Sequence, residues 1–439
     1  MQQTNEQNEK YIRRQAAIRR SKHNVFLAGV FLLMIVVFFL ANLIVADKEF
    51  SDTENRSLAQ KPQFSWEALW DGSYFDGLTA HYADQFFARD GWISLKMKED
   101  SLLGRKDVSG VFLGSDGYLI PEPETPDAVA LENTIQAING FAASHKDISM
   151  RMMVIPGASA ILKDRLPENA PVRDQLADIE VVRNGLFGNV QFLDVTDTLK
   201  SHANEDIYYH TDHHWTSLGA YYAFQATTGL MGIGAPVSDY DIYRVTNSFE
   251  GTLSSKSGSH EVLDSIDIYV PKAGDLEYFV TYPDQTKTCS LYESEMLEAK
   301  DKYTVFFGGN HSLVEIRTTA DTDRNLLIFK DSYANAYVQF LVPYYDKIFM
   351  VDPRYYYDDL NTILTAGGVT DVLFLYSGDT ILTDTSLTDV LESLNVEKEP
   401  LTSTPETAPE AAPAPAVEEA PVSSVEEPAI DSAPAEVTE

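Results

Sequence analysis

A continuous apolar run near the N-terminus constrains the architecture of this chain more than any other feature. Residues 25–46 read VFLAGVFLLMIVVFFLANLIVA, in which Asn42 is the only strongly polar side chain. A helix of this length spans roughly 33 Å, close to the hydrocarbon thickness of a bilayer. Because a soluble core helix needs a polar face and this run has none, we predict one transmembrane helix over residues 24–46.

The charges beside this run predict its orientation. Residues 1–23 carry six basic and two acidic side chains. By the positive-inside rule, they lie in the cytoplasm and the chain after Ala46 lies outside the cell membrane. A cleaved signal peptide is the alternative. Its apolar region is usually shorter, about 7–15 residues, and no small-x-small cleavage site follows here, so we favour an uncleaved single-pass anchor.

The composition excludes several classes of function. The 439 residues carry a formal net charge of −34, which argues against nucleic-acid binding because phosphate contacts need clustered Lys and Arg. Cys289 is the only cysteine, so neither an intramolecular disulfide nor a multi-cysteine metal site can form. Hydrophobic residues make up 44% of the chain, enough for most of it to build a core.

The sequence pattern divides the chain after the apolar run into two parts. Residues 47–120 show no clear periodicity, but from residue 128 onward short apolar strands alternate with helical stripes. This alternation predicts that residues 47–396 form a three-layer α/β domain with a mainly parallel sheet. Within it, residues 235–325 are β-rich and loop-rich and are interpreted as an insertion. Residues 397–439 are rich in Pro, Ala and Glu and are predicted to be disordered. The clearest predicted elements are a helix over 128–145, a hairpin turn at 114–117 and strands at 150–155, 190–195, 326–329, 347–351 and 372–376.

The most unusual stretch is His210-Thr211-Asp212-His213-His214-Trp215. In an extended or looped segment, Asp212 and His214 point the same way because they are two residues apart. A carboxylate beside an imidazole fixes its tautomer and stabilises the imidazolium that forms when the ring accepts a proton. The pair therefore provides two of the three groups of a hydrolytic triad, and Thr216 or Ser217 is placed to cap the following helix.

The third group of such a triad is expected at a sharp turn. Ser332 lies between the strand at 326–329 and a helical stripe, a junction that exposes a side chain at the carboxyl edge of a sheet. The same junction places backbone N–H groups and the positive helix end near a developing oxyanion. The Gly-x-Ser-x-Gly sequence of a nucleophile elbow is absent. Cys289 lies in the poorly patterned insertion and is discounted as the nucleophile.

Each of these residues also has another interpretation. Ser332 or Asp331 could simply be a helix N-cap. Imidazole and carboxylate groups also bind divalent metals, and the candidate ligands are His210, Asp212, His213 and His214. No second ligand cluster is evident in the sequence, so we predict no metal and no cofactor. His213 is expected to face away from the Asp212–His214 pair as a structural or substrate contact.

The run Asp212-His213-His214-Trp215 is similar to the signature of the DHHW protein family of Gram-positive bacteria. That family resembles the SGNH-hydrolase-like O-acetyltransferases of exopolysaccharide machinery, such as those acting on alginate. The segments VIPGAS, YYHTDHHWTS, KDSYANA and DVLFLY carry the resemblance, which covers most of residues 50–380. It implies an SGNH-like fold. In the alginate enzymes an Asp-x-His pair precedes the catalytic Ser, so the resemblance implies that Asp212 and His214 are the pair and Ser332 the nucleophile.

The other groups of the site are predicted from their positions near these three. The candidates for stabilising the oxyanion are Ser377, at the end of the strand 372–376, and Asn310, in the insertion. We expect His213, Trp215 and Tyr333, which adjoin the pair and the nucleophile in sequence, to contact the substrate.

These features together predict an extracytoplasmic acyl-transfer enzyme, an O-acetyltransferase or acetylesterase acting on an envelope polysaccharide. A transferase outside the membrane has no cytosolic acetyl-CoA beside it, so an acetyl-donating membrane protein is an expected partner. The alternative is a catalytically silent glycan-binding or assembly protein on the same scaffold. Because the Asp, His and Ser are all present, we favour the enzyme.

Overall fold

The computed structural model describes residues 2–51, 56–102, 104–272 and 276–395. The tail that is predicted to be disordered, residues 397–439, lies outside this part. The helices are α1 (Gln2–Ile44), α2 (Trp66–Asp71), α3 (Ser73–Asp84), α4 (Arg89–Leu102), α5 (Ala128–Ser144), α6 (Ala158–Ile161), α7 (Gln175–Gly185), α8 (Thr196–Ser201), α9 (Ser217–Thr227), α10 (Thr252–Ser257), α11 (Tyr333–Tyr337), α12 (Leu360–Ala366), α13 (Gly378–Thr383) and α14 (Ser386–Glu392). The strands are β1 (Phe50–Ser51), β2 (Arg56–Ser57), β3 (Asp107–Val108), β4 (Val111–Leu113), β5 (Leu119–Pro121), β6 (Ser149–Ile155), β7 (Val190–Phe192), β8 (Tyr240–Phe249), β9 (Asp264–Pro271), β10 (Tyr278–Thr281), β11 (Lys287–Thr288), β12 (Leu313–Thr318), β13 (Asn325–Lys330), β14 (Lys347–Val351) and β15 (Asp371–Ser377).

Eight strands form the central sheet in the order β11–β10–β12–β14–β13–β15–β6–β7. From β14 to β7 every neighbouring pair is parallel. The chain connections from β6 to β7, from β13 to β14 and from β14 to β15 each contain a helix, as parallel crossovers require. The other three strands pair antiparallel. The α/β prediction is confirmed, but the sheet is mixed because strands from the predicted insertion extend one side of it.

The parallel strands direct their side chains alternately into two hydrophobic clusters. Along β13, Leu326 and Ile328 join one cluster, whereas Leu327 and Phe329 join the other. Residues of α9 and α11 belong to the first cluster, and residues of α5, α7, α12 and α14 belong to the second. Each fully buried side chain of this kind contributes about 1.5–3 kcal/mol. Burial on both faces explains why these strands read as continuous apolar runs in the sequence.

The predicted insertion, residues 235–325, is divided between two sheets. Strands β8 and β9 form a separate antiparallel pair, while β10, β11 and β12 belong to the central sheet. Phe249, Ile266, Val280 and Ile316, all at 0% exposure, join the same hydrophobic cluster as one face of the parallel strands. The insertion is therefore an integral part of the core.

Most of the individual elements predicted from the sequence are confirmed. The helical stripe from Ala128 forms α5, and the turn at 114–117 joins β4 to β5. Strand β7 ends at Phe192, three residues before the predicted end. The helical stripe after Ser332 forms α11, which ends at Tyr337; the chain then continues in short 3₁₀ turns.

The N-terminal part of the chain is helical. Within α1, the segment Arg13–Ile44 is long and apolar enough to cross a membrane. Helices α2, α3 and α4 follow in a region whose sequence shows no clear periodicity. Their side chains belong to none of the three hydrophobic clusters in the described chain.

The carboxyl ends of four parallel strands meet at one edge of the sheet. Strand β14 ends just before Asp352, β13 just before Asp331, β15 at Ser377 and β6 just before Pro156. Ligand sites of open α/β sheets lie at this edge. Ser332 is the second residue after β13 and is partly exposed at this edge.

Candidate active site

The segment with the unusual sequence forms a loop whose ends are fixed. Tyr208 and Trp215 form an isolated antiparallel bridge that closes the loop. The side chain of Thr216 accepts a hydrogen bond from the backbone N–H of Gly219, so Thr216 caps α9 as predicted. The backbone between Tyr208 and Thr216 is therefore held outside the helix.

The structure brings Asp212, His214 and Ser332 into one hydrogen-bonded chain. His214 Nδ1 lies 2.5 Å from Asp212 Oδ1, and His214 Nε2 lies 2.7 Å from Ser332 Oγ. Asp212 and His214 are only 2% and 6% exposed. If Nδ1 carries the proton and donates it to the carboxylate, Nε2 is free to accept the hydroxyl proton of Ser332. This is the tautomer that a general base requires.

Burial and neighbouring charges set the protonation state of the pair. Burial alone would raise the pKa of Asp212, but the charges of His213 and His214 and hydrogen bonds from His214 and Thr252 lower it well below its ordinary value. Burial and the charge of His213 lower the pKa of His214 to about 4, against the opposing charge of Asp212. At neutral pH, Asp212 is therefore ionised and His214 is neutral.

Gly251 and Thr252, at the start of α10, hold the carboxylate of Asp212. The backbone N–H and the hydroxyl of Thr252 donate to Asp212 Oδ2 at 2.8 and 2.9 Å, which leaves Oδ1 for His214. A Cβ atom on Gly251 would lie 2.3 Å from the Cβ of Asp212, so the close approach requires glycine. Sequence reasoning missed both residues; a glycine between a strand and a helix was the only signal present.

Tyr303 packs against the face of the His214 ring. The two ring centroids are 3.8 Å apart and the ring planes differ by 11°. The Tyr303 hydroxyl donates to the backbone carbonyl of Ser332 at 3.0 Å. Tyr303 therefore contacts both the plane of the His214 imidazole and the backbone of Ser332. Tyr303 was not recognisable from the sequence, because it lies in the insertion without a recognisable pattern.

Asp331 shapes the turn that presents Ser332. Its carboxylate accepts hydrogen bonds from the backbone N–H groups of Tyr333 and Ser377, both at 2.9 Å, which ties the turn after β13 to the end of β15. The Ser332 side chain makes no cap bond to α11, so the alternative of a simple N-cap does not describe it. The backbone N–H of Ser332 has no acceptor within the described part of the chain.

A buried charged network lies beside the turn that carries Ser332. Lys330 is 1% exposed, and its Nζ lies 3.4 Å from Asp352, which also accepts two hydrogen bonds from the Arg354 guanidinium. The Lys330 ammonium donates to Asn335 Oδ1 at 3.1 Å as well. Burial lowers the pKa of Lys330, while Asp352 opposes this effect. The network anchors the chain on both sides of Ser332.

The two predicted oxyanion residues have different surroundings. The backbone N–H of Ser377 donates to Asp331, and its Oγ accepts from Thr380 as the N-cap of α13. Since both groups are engaged, the prediction for Ser377 is corrected: its backbone supports the turn that carries Ser332. Asn310 is exposed, and its Oδ1 accepts from Lys330 at 2.9 Å. Its Nδ2 has no acceptor within the described residues.

The three predicted substrate contacts also differ. The His213 side chain is 41% exposed, with Nδ1 2.9 Å from Thr252 Oγ1, and it is accessible to a substrate. Trp215 is completely buried and donates from Nε1 to the Tyr333 carbonyl at 2.9 Å. Tyr333 is 4% exposed, and its hydroxyl donates to the His213 carbonyl. We therefore correct the prediction for Trp215 and Tyr333: they pack behind the site and join its two segments.

The candidate metal ligands Asp212, His213 and His214 lie close together. The ligand atoms of Asp212, His213 and His214 lie within 4.8 Å of one another, close enough for one ion. However, both ring nitrogens of His214 are engaged, one by Asp212 and one by Ser332. His210, the fourth candidate, instead lies 3.1 Å from Asp264. This arrangement fits an acid–base chain better than a metal centre.

Comparisons with solved structures identify similar folds. A DHHW family protein from Eubacterium siraeum DSM 15702 is 26% identical, with a TM-score of 0.56, over 65% of this chain and 96% of that one. Bacillus cereus PatB1 with a sulfonyl adduct is 20% identical, with a TM-score of 0.53, over 63% of this chain and 98% of that one. A second PatB1 structure is 21% identical, with a TM-score of 0.52, over 62% and 97%. The PatB1 similarity shows a shared fold.

Comparison at the sequence level gives the family. No curated protein matches this chain. The family model described as DHHW protein matches residues 54–151 and 127–351, which is more than half of the chain and includes both the Asp212–Trp215 run and Ser332. The chain therefore belongs to the DHHW protein family.

Proposed function

We propose that this protein is a membrane-anchored, extracytoplasmic acyl-transfer enzyme, an O-acetyltransferase or acetylesterase acting on a cell-envelope polysaccharide. The observation that carries the proposal is the position of His214, whose ring nitrogens lie within hydrogen-bond distance of Asp212 and Ser332. This arrangement supports nucleophilic catalysis by a serine. The hydrophobic clusters on both faces of the sheet support the three-layer, SGNH-like interpretation of the fold.

In the first half-reaction, Ser332 Oγ attacks the acetyl carbonyl carbon of the donor while His214 Nε2 takes the hydroxyl proton. A bond forms between Oγ and the carbonyl carbon, and the carbonyl electron pair moves onto the oxygen. When this intermediate collapses, the leaving group departs with the proton from His214, and Ser332 carries an acetyl ester. Asp212 stabilises the imidazolium while it exists.

In the second half-reaction, a sugar hydroxyl, or water in the esterase version, gives its proton to His214 Nε2 and attacks the ester. The bond between Ser332 Oγ and the acyl carbon then breaks, and Oγ recovers the proton. The ring of His213 lies 3.9 Å from that of His214 and is exposed. We assign His213 to contact with the acceptor.

The oxyanion of both half-reactions needs hydrogen-bond donors near Ser332. The backbone N–H of Ser332 is one, because no carbonyl in the described chain accepts from it. Asn310 is the candidate for a second. Since Lys330 holds its amide oxygen at 2.9 Å, the amide is oriented and its NH₂ group is left to donate elsewhere.

The proposed location of the reaction rests on the N-terminal helix. We propose that α1 is a single-pass anchor with residues 1–23 in the cytoplasm and the catalytic domain outside, because the basic residues precede the apolar run. A transferase outside the membrane requires acetyl groups that are delivered across the membrane. A membrane protein that delivers acetyl groups is therefore the proposed partner, and the envelope polysaccharide is the proposed acceptor.

The covalent step is tested by incubating the full chain in detergent with p-nitrophenyl acetate and measuring its intact mass. We expect a gain of about 42 Da, the mass of one acetyl group replacing a proton, located on Ser332 by peptide mapping. Ser332→Ala should abolish the adduct. Ser377→Ala is the matched control, since Ser377 lies at the same sheet edge but has no contact with His214; it should still be labelled.

One observation favours the catalytically silent alternative. Because Ser377 is not available to an oxyanion, only the N–H of Ser332 is a clear donor within the described residues. If wild type and Ser332→Ala both stay unlabelled while a purified envelope polysaccharide still binds, the silent glycan-binding protein replaces the enzyme. Stoichiometric zinc in the purified protein that is lost in His214→Ala would instead indicate a metal centre.

A further inference from the structure

One short face of α1 is covered by another part of the chain. Among the described side chains of α1, only Phe38, Ala41 and Asn42 are half-buried, and they lie on one side of the helix because they are three and four residues apart. The ring of Phe38 lies 5.9 Å from that of Phe86 and 5.7 Å from that of Trp92. The connection between α3 and α4 therefore packs beside the last turns of the apolar helix.

This contact accounts for the one polar side chain in the apolar run. Asn42 Oδ1 accepts a hydrogen bond from the backbone N–H of Phe87 at 2.8 Å, and Asn42 Nδ2 donates to the Phe38 carbonyl at 2.8 Å. A polar group at membrane depth is costly unless it is paired. Asn42 is paired by the backbone of the α3–α4 connection, which places this backbone at the same depth.

Polar and apolar residues of the connection are arranged by depth along α1. The side chain of Gln85 binds the backbone N–H and carbonyl of Lys48 at 2.9 and 2.8 Å, just beyond the end of α1 at Ile44. Phe38 lies roughly 9 Å below that end, at 1.5 Å per residue. Gln85 is thus level with the outer end of the helix, and the next residues reach the depth of about 5–10 Å that interfacial segments penetrate.

The apolar side chains of the α3–α4 connection and of the first turns of α4 are open to the surroundings. Phe86, Phe87, Trp92 and Leu95 are 38% to 55% exposed, and together we name them the α3–α4 corner. The indole N–H of Trp92 donates to the Phe87 carbonyl at 3.1 Å. Exposed aromatic rings with a satisfied polar end are typical of the membrane–water interface.

We propose that the α3–α4 corner inserts into the outer interface of the lipid bilayer, beside α1. The inference rests on α1 being the proposed membrane anchor and is independent of the acyl-transfer chemistry. Lipid is the occupant that the structure favours, because the corner continues the lipid-facing surface of α1 at the depth of Phe38 and Asn42. The domain would then be held against the membrane by two contacts instead of one.

Tryptophan quenching in nanodiscs tests the proposal on the full chain. The reporter variant Trp66→Phe, Trp70→Phe retains Trp92 and the buried Trp215; adding Trp92→Phe leaves Trp215 alone as the background. A third variant adds Phe31→Trp to that background and reports on α1 itself. Each is measured in phosphatidylcholine with and without bromine on the upper acyl chain. We expect the brominated lipid to quench the Trp92 emission about twofold or more, with Trp215 unaffected.

Two results would overturn the proposal in distinguishable ways. An unquenched Trp92 beside a quenched Phe31→Trp means that the corner lies outside the bilayer or is covered by protein, while the anchor stands. If the Phe31→Trp reporter is also unquenched, the anchor is wrong and the inference fails with it. Acetyl labelling of Ser332 in the same samples reports separately on the chemistry.

Discussion

The two segments that meet in the candidate site are held in different ways. Ser332 lies in the turn that follows β13 of the central sheet. Asp331 ties this turn to β15, and the buried ammonium of Lys330 lies at the end of β13. The loop with Asp212 and His214 is instead held by side chains and backbone from the insertion, Gly251 and Thr252 on one side and Tyr303 on the other.

This difference indicates which property each segment controls. The turn that carries Ser332, the proposed nucleophile, is part of the core, so changes in it are expected to lower the stability of the fold. The Asp212–His214 loop is oriented by a few contacts from residues distant in sequence. Changes in those contacts are expected to lower reactivity while the fold persists.

Replacing the carboxylate of Asp212 is expected to have the largest effect on reactivity while the fold persists. Asp212→Asn should lower the rate of Ser332 acetylation by about 10⁴-fold, because an amide favours the wrong tautomer of His214 and does not stabilise the imidazolium. The rate is followed by nitrophenolate release from p-nitrophenyl acetate. Asp197→Asn, at an exposed position, should react like wild type. A near-normal rate for Asp212→Asn would exclude Asp212 as the partner of His214.

Gly251→Ala tests the support of the Asp212–His214 loop without removing a hydrogen-bonding side chain. The new Cβ would lie 2.3 Å from the Cβ of Asp212, so the carboxylate or α10 must shift. A displacement of about 1 Å is expected to lower the acetylation rate about 10²-fold. The far-UV circular dichroism should stay unchanged. Gly140→Ala is the matched control, since a Cβ there meets nothing within 4 Å; a full rate in both variants would contradict the tight support of Asp212.

Asp331→Ala tests the expectation that changes in the Ser332 turn lower the stability of the fold. It leaves the buried N–H groups of Tyr333 and Ser377 without their acceptor, at a cost of about 1–3 kcal/mol each. We expect a lower free energy of unfolding, measured by denaturant titration, and a lower melting temperature. Asp331→Asn retains one acceptor oxygen and should lose less. If Asp331→Ala unfolds at the wild-type midpoint, the nucleophile turn does not depend on this carboxylate.

The same contrast explains what the sequence could predict. Strands β13 and β15 are buried on both faces and read as apolar runs, so the junction that carries Ser332 was recognisable. Asp212 and His214 were recognisable because they are local in sequence. Gly251, Thr252 and Tyr303 were not, since their role arises only when the insertion folds onto the loop. Trp215 was misassigned because the sequence does not distinguish an aromatic ring packed behind a site from one lining it.

The pH dependence of acetylation tests how well the Asp212–His214 loop excludes water from the His214 ring. The pKa of His214 is lowered by burial to about 4, below the ordinary value of about 6.5, so the ring is neutral above pH 5 and protonated below pH 4. Only the neutral ring accepts the Ser332 proton. The acetylation rate should therefore be flat between about pH 5 and 7 and fall about tenfold by pH 3.

The sign of the stability effect separates this loss of rate from unfolding. Between about pH 6.5 and 4, the unfolded chain binds a proton at His214 that the folded chain does not, so this residue's contribution lowers the stability as the pH falls through that window. Circular dichroism at each pH identifies the range in which the protein stays folded. A rate that declines with a midpoint near pH 6.5 in folded protein would mean that water reaches His214. In that case Tyr303 and Thr252 hold the loop less tightly than Asp331 holds the nucleophile.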